Sequence, residues 1–306
     1  MIKLLRNRLF LDMMQIYHIK NLLPDKLYLQ MKYKRDYGYC INWKNPKSFT
    51  EKMQWLKVYY RKPIMTKLVD KYEVKYYVER MIGKEYIIPT LGIYNSFNEI
   101  DFSSLPKSFV LKCTHDSGGL ILCKNKDYLD INFARVKIEN SLKKNFYYLM
   151  REWPYKYVKP RIIAESYMTD DIHRDLIDYK FYCFNGEPKY CQLITDRSSH
   201  ESIDFFDKEW VHQDFIGLNP ICKNNPVCKN NPVCKTMPKP ANYETMLELA
   251  RILASDFPFV RVDFYNINGR IYFGEITFFP AGGFGVFTPE EWNYRLGEMI
   301  LLPTIS

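Results

Sequence analysis

The residues best equipped for chemistry lie near the C-terminus, in Arg261-Val-Asp263-Phe-Tyr-Asn-Ile-Asn-Gly269-Arg-Ile-Tyr-Phe-Gly-Glu275-Ile-Thr277. Two aromatic and β-branched runs flank an Asn-Gly pair, which is a hairpin signature. Strand alternation puts Arg261 and Asp263 on one face of the first run, and Glu275 and Thr277 on one face of the second. Register decides whether those faces coincide. A two-residue loop at Asn268-Gly269 pairs Asp263 with Gly274 and turns Glu275 away. A three-residue loop, Ile267-Asn268-Gly269 with Gly269 left-handed, sets Arg261 opposite Glu275 and gathers all four polar residues on one side. Two carboxylates, a hydroxyl and a guanidinium so gathered make an oxygen-ligand site for Mg²⁺ beside a phosphate clamp. The plainer alternative is a solvated face with a surface ion pair.

A second group of polar residues interrupts apolar strands upstream. In Ser108-Phe-Val-Leu-Lys112-Cys-Thr-His-Asp116-Ser117-Gly118-Gly119-Leu-Ile-Leu-Cys123 a strand, a glycine-bearing loop and a second strand follow one another. Lys112 needs a paired partner or an anionic ligand in such surroundings. The Ser117-Gly118-Gly119 loop can offer backbone N–H groups to phosphate oxygens, although Gly-Gly is also an ordinary turn. Neither G-x-x-x-x-G-K-[ST] nor G-x-G-x-x-G occurs in the chain. Farther on, Arg161-Ile-Ile-Ala-Glu165-Ser-Tyr167-Met168 reads as a buried strand running into Asp170-Asp171, and Asp178-Tyr-Lys180-Phe-Tyr-Cys-Phe184 opens another hairpin. Glu165 and Lys180 can equally be a cross-strand pair.

The elements that must position these groups follow from periodicity. Residues 1 to about 60 read as helices: Pro24 precedes a fresh segment at Leu27–Met31, and Ser48 with Glu51 fits a capping box ahead of Met53, Leu56 and Tyr60. A third helix is expected over Leu68–Met81, ending at Gly83, with Asp70 and Lys71 at its anion-facing start. Helical signals fill 130 to 150, and an amphipathic helix over Tyr243–Ser255 delivers the chain into the C-terminal hairpin.

Size and composition narrow the functional classes. At 306 residues the chain can bury an ample core in two lobes or domains. A net charge of +9 favours an anionic partner, but the basic residues are scattered with no Arg-rich block, so nucleic acid is not expected. No apolar run is long enough to span a bilayer. The basic N-terminal run is interrupted by Asp12 and followed by no small-residue cleavage site, so a signal peptide is not expected; the run either packs on the body or lies on a membrane surface. The eight cysteines, at 40, 113, 123, 183, 191, 222, 228 and 234, read as reduced thiols of a cytoplasmic protein, at most at the inner face of the membrane. Cys222, Cys228 and Cys234 recur every six residues in a Lys-Asn-Asn-Pro-Val repeat, a spacing that suits a duplicated surface loop better than zinc.

Taken in order, these pieces resemble the ATP-grasp superfamily, and within it the TupA-like branch associated with bacterial surface polysaccharide. Asn45-Pro46 through Phe49-x-Glu51-Lys52-x-x-Trp55-Leu56-Lys57, Val69-Asp70-Lys71-Tyr72, Phe109-Val110-Leu111-Lys112 and the Asp116–Gly119 loop carry the likeness. Ile163-Ala164-Glu165-Ser166-Tyr167, Asp178-Tyr179-Lys180, Arg261-x-Asp263 and Glu275-x-Thr277 complete it. The resemblance implies an α+β fold whose two lobes clasp ATP: a helical region over 1–60, a helix and linker over 61–105, a small lobe over 106–168 and a large lobe over 169–306. It implies that Lys71 and Lys112 contact phosphates, that Ser117, Gly118 and Gly119 close over them, and that Glu165, Tyr167 and Met168 form the adenine hinge. An acid among Asp170, Asp171 and Asp178 meets the ribose, Asp263, Glu275 and Thr277 hold Mg²⁺ or Mn²⁺, and Arg261 with Lys180 serves the transferred phosphate. Thr277 stands where the family usually has Asn.

The implied activity is an ADP-forming carboxylate–amine ligation through an acyl phosphate. Its partners would be small or saccharide-linked acids, such as uronic or amino acids, and an amine. Two other classes compete. A glycosyltransferase of the same pathway, if metal-dependent, usually carries Asp-x-Asp, and the chain has no such triplet. A non-catalytic nucleotide-binding or membrane-surface protein would bind ATP without turnover.

Overall fold

In the computed structural model, residues 19–171, 175–195, 201–219 and 237–304 are described. The basic N-terminal run up to residue 18 and the cysteine repeat lie outside them.

Helix α1 (Asp25–Tyr37) follows Pro24, whose fixed φ suits the N-terminal boundary, and ends at Gly38 in the left-handed region (φ 86°). Helix α2 (Phe49–Tyr59) starts with the expected capping box, Ser48 Oγ accepting from Glu51 N and the Glu51 carboxylate accepting from Ser48 N. The single helix expected over Leu68–Met81 is instead two, α3 (Ile64–Val69) and α4 (Glu73–Met81). Asp70 is extended, with ψ 118°, and its Oδ1 accepts from Tyr72 N and Glu73 N. An Asp that captures nearby N–H groups competes with helix propagation. The break frees Lys71 N–H to donate to Thr114 O, 3.0 Å away, which stitches this segment to the small lobe.

The small lobe contains β1 (Thr90–Tyr94), β2 (Phe109–Cys113), β3 (Leu120–Cys123), α5 (Ile131–Leu142), α6 (Tyr147–Met150) and β4 (Ile162–Ser166). Its strands pair antiparallel in the order β1-β4-β2-β3. Ala134 and Ile138 of α5 pack on Leu111, Ile121 and Ile162 in a core of their own.

The large lobe contains β5 (Asp178–Phe184), β6 (Glu187–Thr195), β7 (Ser202–Asp207), β8 (His212–Gln213), β9 (Ile216–Asn219), α7 (Tyr243–Ala254), β10 (Phe259–Ile267), β11 (Arg270–Thr277), β12 (Val286–Thr288) and α8 (Glu291–Glu298). Six strands form one sheet, β11-β10-β5-β6-β7-β8, and β9 pairs with β12 separately. β5 is buried along its whole length, and the amphipathic α7 packs its apolar side into the same core as β5, β6 and β10.

The C-terminal hairpin has a register that the sequence reading did not anticipate. Its turn has two residues, with Asn268 at φ 51° and Gly269 at φ 77°, and Ile267 pairs with Arg270. Both central residues adopt positive φ, as a tight turn matched to strand twist requires. The pairing runs regularly to Phe264–Phe273 and then shifts, so that Asp263 faces Glu275 and Arg261 faces Thr277. Gly274 is the extra residue of a bulge. The expected three-residue loop is therefore incorrect, but its consequence for the faces holds: the bulge, five residues away, turns the four polar residues to one side.

The N-terminal helices are seated on the C-terminal one by close backbone contact. A Cβ added at Gly297 in α8 would lie 2.2 Å from Lys47 O and 2.7 Å from Phe49 N. Neither atom is the movable end of a side chain. Gly297→Ala should cost about 2–3 kcal/mol by overpacking, read as a lowered urea midpoint with unchanged slope.

Candidate functional site

The cleft between the lobes is built from three sources: α4 and the Asp70–Tyr72 break, the small-lobe sheet, and β5, β10 and β11. On the large lobe Asp263 and Glu275 sit directly opposite each other, an arrangement that repels unless a cation intervenes. Arg261 provides that cation. Its Nε and Nη2 donate to the two oxygens of Asp263, each at 2.7 Å, and Nη2 also reaches Glu275 Oε1 at 2.7 Å and Thr277 Oγ1 at 3.0 Å. Lys180, from the neighbouring β5, donates to Asp263 Oδ2 at 2.5 Å and lies 3.4 Å from Asp178 Oδ1. All five side chains thus form one network.

Burial pushes the Asp263 carboxyl above its usual value despite Arg261 and Lys180. Glu275 differs. Burial would raise it, but Arg261, Lys180 and Lys71 outweigh that and hold it down at about 2. It is hemmed in by protein atoms, yet its side chain keeps 44% of its surface open, toward the two cavities it lines. Exposure to solvent-filled space is the better guide here to what a ligand can reach.

The donor set suits a divalent cation. Asp263, Glu275 and Thr277 present only oxygen, as Mg²⁺ requires, and two carboxylates suffice when substrate phosphates complete the shell. Hydrogen bonds from the described residues reach only Oε1 of Glu275, which leaves Oε2 for a ligand. Asp263 accepts three hydrogen bonds, two from Arg261 and one from Lys180, and only one of them falls on Oδ1, which keeps a lone pair for a cation. The set fits, with Glu275 as the accessible member. Among the described residues no cluster of three His, Cys, Asp or Glu forms a closed metal cage.

Across the cleft, Glu165 of β4 links two lysines. Its Oε2 pairs with Lys112 at 2.7 Å and its Oε1 pairs with Lys75 of α4. Burial would raise the carboxyl, but Lys112 and Lys75 hold it below the ordinary range. Lys75 also donates to Ile88 O and Thr90 Oγ1, each at 2.8 Å. It had no part in the sequence reading, although its position four residues after Lys71 is the spacing of two lysines on one helical face.

Lys71 donates through Nζ to Asp116 O, and burial pulls its ammonium pKa down, with Glu275 opposing. Asp116 organises the glycine loop: Oδ1 accepts from Gly119 N at 3.1 Å and Oδ2 from Ser141 Oγ. Gly119 is a packing residue, since a Cβ there would meet Cys113 Sγ at 2.4 Å and Ser141 Oγ at 2.7 Å. Ser117 and Gly118 are exposed, and Ser117 lines the cleft.

Three cavities adjoin. A narrow one of about 200 Å³ contains Lys71, Lys112, Lys180, Asp263 and Glu275. A second of about 800 Å³ has apolar walls from Val110, Leu122, Tyr167, Met168 and Tyr265, and acids at Asp170, Asp171 and Asp178. The third, about 540 Å³, shares Lys71, Asp116, Ser117 and Glu275 with the first and extends toward α1. Every predicted site residue except Gly118 therefore lines one of these cavities. The chamber with apolar walls adjoins the lysine-lined throat, and the throat reaches the acidic hairpin.

A family model described as TupA-like ATPgrasp matches residues 51–301 of the chain. No curated protein matches it. Among solved structures, D-alanine-D-alanine ligase from Helicobacter pylori is 16% identical over 77% of this chain and 61% of its own, with a TM-score of 0.38. D-alanine–D-alanine ligase from Bacillus anthracis, solved with ATP, is 14% identical over 70% and 54%, with a TM-score of 0.38. L-amino acid ligase from Bacillus licheniformis is 11% identical over 74% and 47%, with a TM-score of 0.42. The chain thus spans about half to three-fifths of the length of these structures.

Proposed function

The chain belongs to the TupA-like ATPgrasp family and has the two-lobed α+β ATP-grasp fold, and from that premise we propose that it is an ATP- and Mg²⁺-dependent carboxylate–amine ligase. The observation that carries the reading is the facing of the Arg261–Asp263–Glu275–Thr277 network by Lys71 and Lys112 across one cleft. In this reading adenine takes the apolar chamber beside Tyr167 and Met168, the ribose meets Asp170, Asp171 or Asp178, and the phosphates enter the cationic throat.

The substrate carboxylate attacks the γ-phosphate, giving an acyl phosphate and ADP. An amine then displaces phosphate and leaves an amide. Asp263, Glu275 and Thr277 would hold Mg²⁺, or Mn²⁺, which would neutralise charge on the transferring phosphoryl group. Arg261 steadies that group, already oriented by its bidentate hold on Asp263. Lys180 keeps Asp263 in place. The acids we propose are uronic or amino acids, in keeping with a role in bacterial surface polysaccharide.

The deciding experiment measures ADP release from Mg-ATP with a panel of uronic acids and amino acids, with and without amines. Release that requires both an acid and an amine supports ligation. ATP hydrolysis that no acid stimulates, with consumption of a sugar nucleotide, sinks it.

The glycine loop supplies a second test. Asp116→Ala removes the acceptors for Gly119 N and Ser141 Oγ, each worth about 1 kcal/mol. The KM for ATP should rise about 10-fold, while Asp116→Asn, which keeps Oδ1, should change it less. Initial rates at varied ATP decide this.

A further inference from the structure

The reading above puts no nucleotide in the third cavity, yet the cavity is lined by a buried carboxylate that no described residue pairs with. Glu152 is 5% exposed and lines this cavity. Its backbone place follows Arg151, which ends α6 in the left-handed region at φ 57°. That conformation is costly for a side-chain-bearing residue. Arg151 is held there by packing: it is 1% exposed, its guanidinium stacks over Tyr28 and Tyr147, and its Nε lies 3.6 Å from Asp25 Oδ1.

No hydrogen bond or ion pair from the described residues reaches the Glu152 carboxylate. The nearest cation in effect, Lys57, is committed elsewhere. Its three hydrogens go to Gln54 Oε1 at 3.0 Å, Met150 O at 2.7 Å and Gly282 O at 2.5 Å. Burial pushes the Glu152 carboxyl up to about 7, and Lys57 offsets only part of that. A buried carboxylate lacks its solvation until a cation arrives. The cavity that this carboxylate lines opens at Lys71 and Glu275, where the reading above puts phosphoryl transfer.

Arg35 of α1 lines the same cavity. Its Nε donates to Asp36 Oδ1 at 2.8 Å, and no described residue engages the rest of its guanidinium. The cavity thus holds a carboxylate short of a cation and guanidinium N–H groups to give.

We propose that this cavity is the amine subsite, in which Glu152 receives the ammonium of the incoming amine and Arg35 receives an anionic group of the same molecule. The favoured amine is therefore zwitterionic, an amino acid rather than a simple alkylamine. This rests on the ligase reading, and the test separates the two.

Wild type, Glu152→Gln and Arg35→Gln are assayed in full-length form with an acid that supports ADP release. Hydroxylamine traps the acyl phosphate as hydroxamate, and amide formation is measured with glycine against methylamine and L-alanine against ethylamine. In wild type the amino acid should be preferred in each pair. Glu152→Gln should raise the KM for the amino acids and lower the ratio of amide to hydroxamate at least 10-fold. Arg35→Gln should erase the preference for glycine over methylamine. An unchanged amide-to-hydroxamate ratio in Glu152→Gln, or a wild-type enzyme indifferent to the α-carboxylate, overturns the proposal and leaves the ligase reading standing. Absence of hydroxamate from wild type with every acid overturns both.

Discussion

Glu275→Gln should leave a folded protein whose ADP release is slower by about 100- to 1000-fold. The substitution removes one negative charge and keeps the shape. Its structural cost is small, because Arg261 retains its paired bonds to Asp263 and the Glu275 side chain is 44% open. Its chemical cost is large, because Glu275 is the carboxylate with an oxygen left for a cation. Steady-state rates at saturating Mg-ATP measure the chemical cost, and an unchanged thermal midpoint confirms the small structural one. Activity within a few-fold of wild type would remove Glu275 from the metal site. With its carboxyl held at about 2, Glu275 stays ionised throughout the working range, so an acid limb in the rate profile must arise elsewhere.

Glu165→Ala should destabilise the protein by roughly 3 kcal/mol. It strands Lys75 and Lys112, whose side chains are 12% and 26% exposed, without their shared counter-ion. Lys112, the wetter of the two, is relieved by solvent, so most of the loss comes from Lys75. The sign of the pH dependence follows from the depressed carboxyl. Its folded value lies below the ordinary 4.5, so the stabilisation is complete above about pH 4.5 and drains away as pH falls through the folded value. Glu165→Gln lacks that term. Chemical denaturation at pH 7 and at pH 4 should show the gap between wild type and the Gln variant closing toward acid. A gap that does not change would mean that the lysines do not set the carboxyl's state.

These two residues also mark how far the chain can be read by eye. Strand alternation pairs Arg261 with Asp263 and Glu275 with Thr277, though not the two pairs with each other, and an ammonium in an apolar strand is enough to pick out Lys112. What periodicity cannot supply is the count of residues in a ladder. A bulge has no period, and Gly274 reads like any strand glycine until the pairing is seen. The helix over Leu68–Met81 breaks because Asp70 captures the N–H groups of Tyr72 and Glu73 while Lys71 N–H goes to Thr114 O of the small lobe, a contact far along the chain that local propensity does not see. Glu165 was legible as a buried strand acid, but its tie to Lys75 needed the packing of α4 on β4. Glu152 was missed altogether. A lone acid in the aromatic stretch from Phe146 to Tyr157 was the available signal, and it gains meaning only when Lys57 is seen to be fully occupied.

The bulge at Gly274 has one more consequence, for how this hairpin could change without loss. On the tip side residues 264–267 pair with 270–273 in a regular two-residue hairpin, and on the base side 261–263 pair with 275–277 one residue out of step. The four polar side chains depend only on the base, which is fixed by β5 through Asp263–Lys180 and Arg261–Tyr182. The tip can vary only outside its own contacts: Tyr265 pairs with Asp178 and walls the second cavity, and Phe264, Ile267 and Ile271 are buried. A two-residue hairpin that keeps those four should carry the same chemistry with a different outer edge.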